Sequence, residues 1–432
     1  MPFTVTAYED DNEKEERKII GSYFRVQRIS QNLSLVEASK ALNINKGFLS
    51  DLERGNRHFP KGIINQLNEF YLTEFNPLVS SKKISLSILN KAYYFLFYKQ
   101  KEKEIEILKK NINPNKNLLN SLSFFTYQLI FLFYYIRIDL YKDKVSELSK
   151  LLKDNINALS QEEKAIYYSL LAIHSVSSIS TSHLATKYIE LSNMYCLTNS
   201  VIFAMNSYLL TLTYARKNKN ALSLMCCSKT KNLLREKNNY IRQVDIDIVE
   251  CSNLILLGEI TEAQKRLLES LNSGNANIND SFIPIYNSLA FSYILSKDYQ
   301  KCIDLIDQYE NELPEEMLWF KPFCLFSTKN YEACILSLDN LKVSDRTTQS
   351  FLLALKYRVN NEFVLFMKHI SLYYYSKLEN MVYLDIPFVL HFILDYAKEV
   401  NAIEINIAAL EDLDLFHNNI LSINTSNVLK KK

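Results

Sequence analysis

Seven residues in one short stretch have the types and spacing to hold a polyanion that also offers hydrogen-bonding edges. They are Lys46, Gly47, Ser50, Arg54, Arg57, His58 and Lys61. Residues at the start of a helix can reach base edges in a DNA major groove, and cationic side chains beyond them can meet phosphate oxygens. Lys46 and Ser50 are the candidates for base edges. Arg54, Arg57, His58 and Lys61 are the candidates for the backbone. Residues 17–61 carry nine Lys or Arg against three Asp or Glu, a local surplus of +6 in a chain of net charge +2. Such a surplus is the electrostatic footprint of nucleic-acid binding. A solvated basic face on a protein-contact domain is the competing reading of the same charges.

These side chains need a rigid mount. Residues 35–42 have apolar positions at helical spacing. Ser34 stands before them as an N-cap with Glu37 three residues on, a capping box. Asn43 and Ile44 make a short turn. Asn45 caps a second helix over 46–54, which Gly55 closes. Two short helices so joined form a helix-turn-helix. Phe24, Leu33, Ala38, Leu42, Ile44, Leu49 and Leu52 are its expected core. Ser39 is small enough for the close approach, and Arg28 is placed to pair with Glu53.

The run LSLVEASKALNINKGFLSDLERGNRHFP resembles the Cro and lambda-repressor type of helix-turn-helix. It carries an acid inside the first helix of the pair (Glu37), a polar cap (Asn45) and an E-x-G-x-R close (Glu53, Gly55, Arg57). The resemblance implies that Lys46 and Gly47 fall at base-reading positions, although Gly47 has no side chain to read with. Leu35 stands where the family commonly has Gln, and Asn43 stands where it has a turn glycine.

The remaining chain is helical by pattern. Among 432 residues there are only six Gly and eight Pro, too few for a chain rich in β-turns, and hydrophobic content is 48%. An all-α protein follows: an N-terminal helix-turn-helix bundle, then an α-solenoid. Residues 1–14 are expected to be a disordered acidic lead, 15–72 the DNA-binding unit, 73–83 a linker, 84–423 the repeats and 424–432 a frayed basic tail. No secretory signal is read at the N-terminus. The apolar run 122–136 is shorter than the ~20 residues that span a bilayer, so it reads as a buried helix. Seven Cys with no C-x-x-C pair read as reduced thiols of a cytoplasmic protein. No H-E-x-x-H, Gly-rich phosphate loop or Ser nucleophile elbow occurs, so no enzyme activity, metal or cofactor is expected.

Tyr286, Leu289, Ala290 and Tyr293, followed by Cys302, Ile306, Tyr309 and Pro314, are similar to the tetratricopeptide pattern. Residues 254–271 are a weaker copy, and further repeats centre on Ala185, Ala221 and Cys334. Helical pairs are expected at 84–110 and 119–153, and more helices at 345–423. A non-repeating helical array is the alternative. Such arrays present an extended face built from the first helix of each pair. Aligning the repeats puts Asn206 and Asn287 at one position of that face, beside Leu210, Thr213, Ser252, Phe291 and Ile294. Asparagine amides can hold an extended peptide backbone whatever its sequence.

The order of domains resembles the RRNPP group of peptide-sensing transcription regulators. That resemblance implies a cytoplasmic homodimer that binds operator DNA and a short signalling peptide, with no membrane segment. The alternative is a helix-turn-helix repressor whose repeats grip a protein instead, either an antirepressor or a response regulator.

Overall fold

The computed structural model describes residues 11–78, 82–139, 141–177, 183–272, 279–309, 313–380, 385–418, 421 and 425–431. Every regular element among them is helical. The chain divides into two compact units, Met1–His174 with Lys187–Asn206, and Ser175–Thr186 with Ser207–Lys432.

The first unit opens with α1 (Asp11–Ser30), α2 (Leu35–Ala41), α3 (Lys46–Glu53) and α4 (Ile63–Tyr71). Helix α1 starts inside the lead expected to be disordered. Glu13 favours a helix N-terminus there, because an acid in the first turn is stabilised by the positive end of the dipole. Residues 1–10 lie outside the described residues. Ser34 and Glu37 form a reciprocal capping box on α2, and Asn45 Oδ1 accepts from Gly47 N at 2.7 Å on α3. Asn43 takes the left-handed conformation in the turn. Phe24, Ala38, Leu42, Leu49 and Leu52 are buried, while Leu33 and Ile44 are half-buried. Arg28 pairs with Glu53 through two hydrogen bonds, 2.7 and 2.9 Å. Two glycines permit the packing of α1 on α3. A Cβ on Gly21 would lie 2.1 Å from the Leu52 carbonyl oxygen, and one on Gly55, at φ +68°, would lie 2.6 Å from the Lys18 Cα.

The segment after α4 is docked, not a free tether. Asn68 receives Thr73 Oγ1 and Phe75 N on its Oδ1 and donates to Phe75 O, at 2.8–2.9 Å. Phe75 is buried against Tyr23 and Phe24. Asn76 N donates to Asn120 O, and Tyr23 hydroxyl to Asn120 Oδ1. Residues 79–81 of the expected linker lie outside the described residues.

Helical pairs follow: α5 (Lys82–Phe97) with α6 (Lys101–Asn111), the short α7 (Lys116–Leu119), and α8 (Phe124–Ile138) with α9 (Lys142–Asp154). These occupy the two expected spans. Helix α8 contains most of the apolar run, and Leu129, Ile130, Leu132 and Phe133 are fully buried. No helix of the described residues is long and apolar enough to cross a membrane. Then come α10 (Gln161–Ser177), α11 (Ala185–Asn193) and α12 (Val201–Arg216).

In the second unit, α12 continues into α13 (Asn220–Glu236), α14 (Tyr240–Leu256), α15 (Ile260–Asn272), α16 (Asn279–Leu295), α17 (Tyr299–Tyr309), α18 (Phe320–Ser327), α19 (Tyr331–Asn340), α20 (Arg346–Val359), α21 (Phe363–Glu379), α22 (Asp385–Glu399), α23 (Ile403–His417) and α24 (Asn427–Lys430). Successive helices pack on one another, the arrangement of a helical-repeat array. The end of the chain is held where a frayed tail was expected. The Asp412 carboxylate, fully buried, accepts from Tyr374 hydroxyl, Ser426 Oγ and the backbone N–H of Asn427 and Val428. Val428 is buried with it. Residues 422–424 and 432 lie outside the described residues. All seven cysteines are free thiols, five of them buried.

Candidate functional site

Helix α3 presents its N-terminal half to solvent. Leu49, Leu52 and Glu53 turn inward. Lys46, Gly47 and Arg54 are exposed, Ser50 is half-buried, and Arg57, His58 and Lys61 follow on an exposed loop. The loop is braced: the Arg57 guanidinium sits over the Phe48 ring, 5.2 Å from its centroid. His58 faces Glu13 of α1, Nδ1 to Oε1 at 3.4 Å, so an acid stands beside it. The surplus of charge at the surface is smaller than the count of lysines and arginines. Arg17 is buried, and Arg28 is neutralised by Glu53.

In the second unit, hydrogen bonds define the register of the repeats. Ser223 Oγ donates to the Thr211 carbonyl at 3.0 Å, and Cys334 Sγ to the Pro322 carbonyl at 3.3 Å, the same step of twelve residues. Ser223, Ala263, Cys302 and Cys334 are all fully buried at the close approach of a pair. Ala221 is exposed. The small residue of this repeat is therefore Ser223, and the alignment through Ala221 is two residues out.

Correcting the register moves the candidate row. The residue fifteen before each close-approach position is Tyr208, Ile248, Asn287 and Trp319. The residue eleven before is Leu212, Ser252, Phe291 and Phe323. Ser252 and Phe291 do share a row. Asn206 and Asn287 do not. Asn206 is 0% exposed, and its amide donates to Ser192 Oγ and Asn193 Oδ1, both at 2.8 Å. Asn287 is exposed. Thr213 is buried and spends its hydroxyl on the Leu209 carbonyl. Phe291 and Ile294 are also buried. The Phe291 ring lies 5.4 Å from Phe388 of α22 and 6.4 Å from both Trp319 and Phe320. The chain's own aromatic side chains thus cover that part of the face. Leu210 and Ser252 are half-buried.

The polar groups near the start of the row are mutually engaged. Tyr208 hydroxyl donates to Asp245 Oδ2 at 3.0 Å, and the Arg242 guanidinium lies 4.6 Å over the Tyr208 ring. Burial, then the Asp245 charge, push the Tyr208 phenol well above the ordinary range, so it stays a neutral donor. Lys231 bridges Asp247 and Glu250 at 3.0 and 2.6 Å. What remains accessible along the row is one amide, Asn287, with half-buried Ile248, Ser252 and Leu212. Among the described residues, no group of three or more His, Cys, Asp or Glu side chains could hold a metal ion.

Fold and surfaces together define an all-α helical-repeat protein whose chain opens with four helices, α1–α4. Comparison with solved structures names the neighbours. The apo form of RapI aligns over 81% of this chain and 99% of its own, with a TM-score of 0.57 and 15% identity. A Rap protein complexed with competence and sporulation factor aligns over 78% and 99%, with a TM-score of 0.59 and 11% identity. At these identities the likeness establishes the fold and carries no residue across. No family model and no curated protein matches the sequence.

Proposed function

We propose that this chain is a cytoplasmic, DNA-binding transcription regulator whose repeats bind a short signalling peptide and join two copies. The observation that carries the reading is helix α3: a capped helix, rigidly seated by Gly21 and the Arg28–Glu53 pair, that turns Lys46, Gly47 and Arg54 outward. A helix-turn-helix reader would set the N-terminal residues of its second helix at base edges and the following cations on phosphate. No enzymatic activity is part of the proposal.

The fold supports the peptide, because one neighbour of the same architecture is a complex with competence and sporulation factor. On this chain the peptide would lie along the accessible part of the corrected row, with Asn287 holding its backbone. It can alter DNA binding only through different affinities for two shapes of the protein.

Two copies would join through α21 and α23. Val364 and Leu372 on one, and Ile403, Ile407 and Leu410 on the other, are exposed at helical spacing. Val364 and Leu372 line a cavity of about 490 Å³ together with Met367, Ile405 and Val428, while Ile403, Ile407 and Leu410 lie on the outer face of α23. The last repeat of an array ordinarily ends in a polar face. The same stripe favours a second reading, in which a protein partner covers it.

The test is selection of duplexes from a random library by the full chain. One enriched sequence is expected, bound with a steep salt dependence whose slope falls by about one in Arg57→Ala. Absence of any enriched duplex would overturn the proposal. Native mass spectrometry of the chain recovered from producer cells should show a bound peptide; a bound protein would favour the second reading.

A further inference from the structure

We propose that Phe48 reads a thymine, its ring packing on the C5-methyl group in the major groove. The inference rests on the DNA-reading role of α3. It names a residue on that helix that the charge pattern does not single out.

Three observations place Phe48 there. Leu49 and Leu52 on α3 are fully buried, whereas Phe48, at the edge of that face one turn before Leu52, is only half-buried. A half-buried apolar ring keeps surface that the core does not cover. Second, the ring is fixed. Arg57 lies over it at 5.2 Å, a contact that holds both groups in one geometry and brings a cation to the edge of the reading surface. Third, the preceding residue is Gly47. It is exposed, and a Cβ there would meet only Asn45 Oδ1 among neighbours within 4 Å.

Gly47 has no side chain with which to hydrogen-bond a base edge. It instead lets the first turn of α3 approach the groove floor closely, with Lys46 on one flank and Phe48 on the other. Thymine is the base that places a methyl group in the major groove, and an apolar side chain is the group that recognises it. Arg57 over the ring, with Lys46 and Arg54 exposed elsewhere on α3 and its C-cap, supplies cations for the phosphates on either side of that groove.

The experiment uses the full chain and the duplex enriched from the random library. Each thymine of a half-site is replaced in turn by deoxyuridine, which removes only the methyl group. One replacement should weaken binding by the wild-type chain about fourfold, the burial of a single methyl group. The same replacement should have no effect on Phe48→Ala and a partial effect on Phe48→Leu. Equal binding of every uracil duplex by the wild-type chain would overturn this inference alone. So would a Phe48→Ala chain that keeps the full sensitivity. Failure to enrich any duplex would overturn it together with the DNA-reading role.

Discussion

Gly21 shows how one missing methyl group can decide the seating of a functional helix. The Leu52 carbonyl stands 2.1 Å from where its Cβ would be, and a backbone atom cannot swing aside as a side chain does. Gly21→Ala should therefore separate α1 from α3 and cost about 1–3 kcal/mol or more. Gly47→Ala should leave stability within about 1 kcal/mol of wild type, since its only close neighbour is the end of the Asn45 side chain and Ala favours helix. Urea unfolding of both variants checks this; equal midpoints would show that α1 and α3 adjust freely. Much at this level was legible in the sequence. The Ser34–Glu37 box, the Asn45 cap and left-handed Asn43 depend on neighbours a few residues apart, and the Arg28–Glu53 pair, twenty-five residues apart, on complementary charges at the meeting of two recognisable helices. Gly21 was not legible, because its reason lies thirty-one residues away across a helix contact.

Helix existence was equally readable, and helix rotation was not. The pattern around α13 offers two small residues, Ala221 and Ser223, and periodicity alone does not distinguish them. A two-residue shift turns a helix by about 200°, which exchanges its buried and exposed sides. The contact with Thr211 selects Ser223, and Asn206 consequently leaves the row of Asn287. Ser223→Leu should overpack the α12–α13 contact and cost about 1–3 kcal/mol. Ala221→Leu should stay within about 0.5 kcal/mol. Thermal unfolding of the two variants measures the difference, and the reverse order would restore the register through Ala221. The same limit applies to the ends of segments. Nothing in 73–78 marks it as a docked strap until Asn68 and Asn120 are seen to bind it. Nothing in the lysine-rich C-terminus announces that Asp412 holds it.

Within the first unit, the four N-terminal helices and the first helical pairs are packed together through Tyr23, Phe75 and Phe124. A movement of α3 within that unit would have to break this aromatic contact or carry the first pairs with it. In the second unit, the exposed stripe on α21 and α23 carries the expectation of two copies. Ile403→Glu with Ile407→Glu should convert the full chain to a monomer at micromolar concentration while keeping its helical content by circular dichroism, since both side chains are in solvent in the single chain. Light scattering reads the outcome. A wild-type chain that is itself a monomer would remove the pairing from the proposal and leave the stripe to a protein partner.

Composition and periodicity were enough for the all-α class, the capped α2–α3 pair and the succession of helical pairs, because each follows from interactions repeated every turn or from contacts between neighbours in sequence. Three things came from long-range packing: which small residue meets its partner helix, whether Phe291 is a ligand surface or is covered by Phe388, and whether the segments after α4 and α23 hang free or are held. Each depends on the rotation of a helix or on partners 16 to 97 residues away. Small residues, asparagines and aromatics fit several such arrangements equally well until the chain has folded.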